Sequence, residues 1–236
     1  MTKKQAFDIK KEIERKRKTI NYLMNKRAKH LDDIAWIKSA FIKETLVLNQ
    51  CPDKDIRFDT SSESIQNICT TWDTIVQRQN IVNITISDVM DIHCNMSHNT
   101  DVIPCQIRTK CVYNLATLIP AQQTPEIMRQ RIDDILYKLN SGKQSILQRA
   151  FDAHYEFIIL QPFNDFNKRT ARMLMNWFLI SKGYRPIAFN HTTDNKNYVG
   201  ALKDALNGDK KSYYNYMYNC MSRSQDMFID KLRHAR

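Results

Sequence analysis

Residues Gln144–Leu160 read as one helix whose latter half is apolar nearly all round, closing on Phe157, Ile158, Ile159 and Leu160. A helix without a polar face must be enclosed by other elements, so this stretch marks the middle of the fold. The polar run QPFNDFN (161–167) breaks it, and a second helix follows over Thr170–Lys182, starting near Asn167 and stopped by Gly183. With 4 glycines and 6 prolines in 236 residues, and 42% apolar residues, the partners of this pair are expected to be helices.

The remaining segments agree. Residues 4–49 read as one or two helices, with Ile13, Ile20, Leu23, Met24, Leu31, Ile34 and Phe41 on one stripe. Residues 51–67 are polar and turn-rich and read as a loop. Ile68–Gln79 and Asn83–Ser97 are amphipathic, the latter capped by Thr85 or Ser87. Thr124 caps a helix over Pro125–Asn140, ended by Asn140-Ser141-Gly142, and Tyr198–Asn207 and Ser212–Leu232 complete the set. Only Arg108–Pro120 changes character, being rich in β-branched and aromatic residues around Asn114-Leu115-Ala116, which predicts a short hairpin. The expectation is an all-α bundle with a β-hairpin, organised as a helical extension (1–50), a linker (51–67) and a main domain (68–236).

The net charge of +11 is uneven: residues 1–30 carry eleven Lys/Arg against Asp8, Glu12 and Glu14. That arm is a candidate surface for nucleic acid or an acidic partner, or simply a solvated helix face. The six cysteines (51, 69, 94, 105, 111, 220) form no C-x-x-C pair and read as reduced thiols. His93, Cys94, His98 and Cys105 fit no standard zinc-finger spacing. No apolar run of about 18 residues is present, and the charged N-terminus lacks a signal-peptide h-region, so a cytoplasmic setting is expected, with delivery into a host cell as an alternative.

Chemistry concentrates at residues 161–172. A helix starting near Asn167 presents unpaired N–H groups and the positive end of its dipole to the preceding loop, an anion site suited to nucleotide phosphates. Arg169 and Arg172 lie three apart, on one helical face, and Asp165 is placed to hold Mg²⁺ between phosphates. Pro162 and Phe163 read as structural. His154 precedes Gln161 by two helical turns, about 10 Å along the axis, too far to serve at the loop.

The run QPFNDFNKRTAR resembles the signature of the Fic family, H-P-F-x-[D/E]-G-N-G-R-x-x-R, matching at Pro162, Phe163, Asp165, Asn167, Arg169 and Arg172. The resemblance extends from about Ile84 to Tyr218. It takes in Arg108 with the following strand, Ala150–His154, Met175-Asn176, Gly183–Ile187 and Ala205–Asp209. It implies a mainly helical Fic fold that transfers AMP, or another phosphate-bearing group, onto protein hydroxyls. It further implies phosphate contacts from Asn167, Lys168, Arg169 and Arg172, a nucleobase contact from Tyr198, Mg²⁺ at Asp165, and a target-binding flap at Arg108, Val112 and Tyr113. The implied cofactors are Mg²⁺ with ATP or another nucleotide.

Four departures cluster on that site. Gln161 stands where the family has its proton-accepting histidine, and a carboxamide has no useful basicity. Phe166 replaces a glycine at a position suited to positive φ. Lys168 makes N-K-R, as in the Doc branch that phosphorylates its target. Upstream, Ser39–Thr45 is similar to the family's inhibitory helix, with Lys43 in the glutamate position and Glu44 one residue off. Three readings follow: a pseudo-enzyme that keeps nucleotide and protein binding, an active transferase of altered geometry, and a binder of nucleic acid or anionic surfaces through residues 1–30.

Overall fold

The structure is a computed structural model, and it describes residues 3–26, 62–110, 124–189 and 194–234. Among these, eight helices and no strand occur: α1 (Lys3–Lys26), α2 (Ser62–Gln77), α3 (Ile86–Ser97), α4 (Pro125–Ser141), α5 (Ile146–Leu160), α6 (Asn167–Ser181), α7 (Asp194–Leu206) and α8 (Lys210–His234). The all-α expectation holds. The hairpin beyond Lys110, with Val112 and Tyr113, lies outside the described residues, as do Ser39, Lys43 and Glu44. α2 begins at Ser62, earlier than the loop read over 51–67 allows: Glu63 supplies the acidic first turn, and Ile68, Trp72 and Ile75 continue one buried face. No described helix is long and apolar enough to cross a membrane.

The chain divides into two compact units, residues 49–182 and residues 1–48 with 183–236. In the first, α5 packs between α4 and α6 and supplies nine buried residues from Leu147 to Leu160. α6 is buried still more fully, from Thr170 through Leu179. The surrounding helices start and stop as their sequences dictate. Thr85 and Asp88 close a capping box on α3, and Asp88 also pairs with Arg78. Ser145 caps α5. Asn140 donates to the Ile84 carbonyl (2.8 Å) and accepts from its N–H (3.1 Å), tying the end of α4 to the approach to α3. Gly142 ends α4 with φ −61, so its freedom of φ is not what matters. A Cβ there would lie 2.4 Å from the Lys138 carbonyl oxygen, so close approach is what requires glycine.

In the other unit α1 packs along α8. Ile20 joins Phe228, Ile229 and Leu232, with Leu23 and Met24 at the edge. Part of the basic arm is absorbed here. Lys16 is buried, donating to Ser222 Oγ (2.7 Å) and Asp226 Oδ2 (2.6 Å) and pairing with Glu12 (2.6 Å). Arg17 lies over the Tyr184 ring at 4.6 Å, and the Tyr184 hydroxyl donates to Glu14. Lys11, Arg15 and Lys18 remain on the exposed stripe beside Phe7.

The cysteine expectation needs correcting. Cys94 and Cys105 are disulfide-bonded, and Cys69 and Cys220 take no part in that bond. Sequence spacing hides the pair because the chain reverses after α3, where Thr100 N–H donates to Ser97 O (3.2 Å) and Asn99 takes φ 53.

Candidate functional site

The loop between α5 and α6 is built by two residues in the left-handed region. Gln161 ends α5 at φ 45, its N–H still donating to Phe157 O (3.0 Å). Phe166 opens α6 at φ 60 and contributes no side-chain cap. The conformation suited to glycine is therefore kept with a phenylalanine in place, at a cost of about 1–2 kcal/mol. The ring is not idle, since the Arg169 guanidinium lies over it at 4.8 Å. Phe166→Gly is accordingly expected to leave the chain about 1 kcal/mol more stable than Phe166→Ala, since this is an N-cap position held at positive φ. Urea unfolding of the two variants checks this, and an Ala variant at least as stable as the Gly variant would contradict it.

Asn167 closes the loop from inside. Its Oδ1 accepts from Phe163 N–H (2.9 Å) and its Nδ2 donates to Phe163 O (2.8 Å), so the buried carboxamide acts as a clamp on the loop. Arg108 closes it from outside. Arg108, which the resemblance puts at the start of the target-binding flap, is 1% exposed. Its Nε donates to Gln161 O (2.5 Å), its Nη2 to Leu160 O (3.4 Å) and its backbone N–H to Pro162 O (2.9 Å). Helix-terminal carbonyls that α5 cannot satisfy are thus capped by a guanidinium. Arg108→Ala is expected to cost about 2–4 kcal/mol of stability by stranding those carbonyls. Arg108→Lys, lacking the fork, is expected to recover less than half of that loss in the same unfolding measurement.

His93 was weighed in the sequence only as a metal ligand; the structure places it beneath the loop. It is fully buried on α3, with its ring stacked on Phe163 at 3.8 Å and 16° and edge-on to Phe166 at 6.4 Å. Burial holds its pKa down at about 4, while the backbone carbonyl and carboxylate of Asp165 pull it upward. The signal for its burial was its spacing from Val89 and Met96, four and three residues away on the α3 core face. Among the described residues no cluster of three or more His, Cys, Asp or Glu could hold a metal.

Asp165 is exposed, and one of its carboxylate oxygens accepts from Phe166 N–H (2.6 Å). The other oxygen leaves room for a hard cation in company with phosphate oxygens, so the residue fits a Mg²⁺–nucleotide. The first turn of α6 contains no acidic residue and no side-chain cap, while Lys168 and Arg169 are half-buried beside it. Arg172 is fully buried, deeper along the same helix. Its charge adds to the effect of complete burial in pushing the neighbouring His154 pKa down to about 3. His154 is therefore a neutral core residue, as its distance in sequence implied. The Gln161 side chain makes no hydrogen bond among the described residues. Tyr198 belongs to the other compact unit, where it is 1% exposed with its ring 5.5 Å from Phe189 and 6.1 Å from Tyr216.

The site is thus an uncapped, cation-flanked helix start behind a clamped loop in an all-helical unit. Residues 83–179 match the family model of the Fic/DOC family. The protein adenylyltransferases Fic of Drosophila yakuba and Drosophila willistoni are each 29% identical over 149 residues, 63% of this chain. That match spans only 30% of either relative's own length. Among solved structures, Fic-1 from C. elegans has a TM-score of 0.74 at 20% identity, covering 96% of this chain and 72% of that one. A Fic domain containing signaling protein from Bacteroides thetaiotaomicron has 0.74 at 16% identity, covering 95% and 98%. The likeness to both is a likeness of fold.

Proposed function

We propose that this chain is a Fic-type nucleotide-binding protein descended from protein AMP transferases, which keeps a phosphate grip and has lost histidine-based activation of a hydroxyl. The observation that carries the reading is Gln161. Its backbone is held in the left-handed turn with its carbonyl fixed by Arg108, while its side chain is a carboxamide that can hydrogen-bond a hydroxyl but cannot take its proton. The α6 N-terminus with Lys168 and Arg169 would receive the phosphates, and Asp165 would hold Mg²⁺. Bound there, Mg²⁺ with ATP or another nucleotide would supply the transferable group and neutralise its charge. Asn167 serves mainly to hold the loop, with one amide hydrogen left for phosphate. Buried Arg172 would set the potential of the site from below. A target protein would pair in β fashion from Arg108 onward, through Val112 and Tyr113.

The test is titration calorimetry with ATP, GTP and a CDP-linked nucleotide, with and without Mg²⁺. At least one nucleotide is expected to bind, with affinity reduced at least tenfold in Arg169→Ala and with the Mg²⁺ increment lost in Asp165→Asn. No heat from any nucleotide, in this chain and in Gln161→His alike, would remove the nucleotide-binding reading.

A further inference from the structure

The two residues that hold the loop from opposite sides, His93 and Arg108, each lie close in sequence to one half of the disulfide. Cys94 follows His93 in α3, and Cys105 precedes Arg108 by three residues. The Cα atoms of the pair are 4.8 Å apart across 11 residues of sequence. Between them the chain turns back at Ser97–Thr100, steadied by Asn67 Nδ2, which donates to His98 O (2.7 Å). The covalent tie therefore connects the helix under Phe163 to the segment that delivers Arg108 to the carbonyls of Leu160 and Gln161.

Exposure favours exchange at this bond. Cys105 is exposed and Cys94 half-buried, so an external thiol can reach the Cys105 sulfur, whereas Cys220 is buried. Cys105 also occupies the left-handed region, at φ 56, a conformation that a non-glycine residue holds only under constraint from its surroundings. Three residues of chain span at most about 10 Å, so Arg108 cannot move far while Cys105 is anchored to α3.

We propose that Cys94–Cys105 is a reversible thiol–disulfide site that governs how firmly the α5–α6 loop is clamped. In the reducing direction the thiolate of a dithiol reductant attacks Cys105 Sγ. The bond to Cys94 breaks, and the Cys94 thiolate leaves and takes up a proton. The reductant's second thiolate then attacks the mixed disulfide and expels the Cys105 thiolate, which is protonated in turn. The reductant becomes a disulfide, and two electrons and two protons have passed to the protein. A low-molecular-weight disulfide reverses the sequence. With the bond open, residues 98–107 gain freedom and Arg108 leaves the loop carbonyls for part of the time.

The experiment uses the full chain carrying Cys51→Ser and Cys111→Ser, so that these two thiols cannot pair in place of the proposed partners. Differential alkylation and peptide mapping across a series of glutathione buffers is expected to show Cys94 and Cys105 oxidising and reducing together, with Cys69 and Cys220 reduced throughout. Amide hydrogen exchange in peptides covering 106–110 and 160–167 is expected to speed up at least threefold on reduction, with α4 unchanged. Cys105→Ser is expected to match the reduced protein and to ignore the redox buffer. Thiols that never pair, or a bond that resists dithiol reductant in the folded protein, would overturn the site. Reversible pairing without a change in exchange at 160–167 would overturn its control of the loop. None of these readouts needs a bound nucleotide, so failure of the nucleotide reading would leave the outcome interpretable.

Discussion

Gln161→His is expected to raise AMP transfer onto a protein hydroxyl by about 10²–10⁴-fold over the chain as it stands, the range that a positioned general base contributes. The expectation rests on position. Gln161 already occupies the αL turn at the end of α5, with its N–H on Phe157 O and its carbonyl under Arg108. A histidine can adopt that backbone, because residues with compact polar side chains tolerate φ near 45 better than β-branched ones do. Among the described residues, neither nearby histidine faces a hydroxyl at that position. His93 is buried with its pKa near 4, and His154 is buried with its pKa near 3. The measurement is label transfer from a nucleotide bearing a labelled α-phosphate to protein, comparing the two chains at equal nucleotide occupancy. Transfer by the Gln161 chain at a rate matching the variant would show that proton acceptance is supplied elsewhere. Absence of transfer in both, with nucleotide bound, would shift the blame to Phe166 and Lys168.

Between pH 7.5 and pH 5 the chain is expected to lose about 4 kcal/mol of stability through His93 and His154 together. Burial lowers both pKa values in the folded protein, to about 4 and about 3, against about 6.5 in the unfolded chain. Above pH 6.5 both states are neutral and the histidines cost nothing. As the pH falls below 6.5 the unfolded chain takes up protons that the folded one refuses, so stability declines. The decline continues until the folded pKa is reached, near 4 for His93 and near 3 for His154. Urea unfolding across this range is the check. His154→Asn should remove roughly half of the slope, and His93→Phe, which keeps a ring against Phe163, should remove most of the rest. A flat profile would mean that both imidazoles take up protons in the folded chain as readily as in the unfolded one, and half the slope that one of them does.

Most helices were legible because their signals are local. Thr85, Thr124 and the apolar spacing of α4 and α5 act within a turn or two, and the structure reproduces them. α2 extends further than its sequence suggests because Glu63 and the neighbouring serines have loop-like composition, while the buried face begins at Asn67 and Ile68. The residues of the α5–α6 loop were legible as residue types, but not the contacts each one makes. Asn167 also clamps Phe163, and Arg108 also caps α5, contacts that the residue types do not announce. In both cases the decisive partner is a backbone carbonyl or N–H, which carries no sequence signature.

Sequence alone determined the helical class, the loop carrying Gln161, Asp165 and Arg169, and the absence of a proton acceptor at its first position, because these depend on residue type and short-range periodicity. Only the tertiary structure decided that Phe166 keeps the glycine-like φ, that His93 lies under Phe163, and that Cys94 meets Cys105. Those outcomes depend on which segments the packing of α3, α5 and α6 brings within bonding distance. Residues tens of positions apart acquire their roles only once the chain has closed around the buried helix pair.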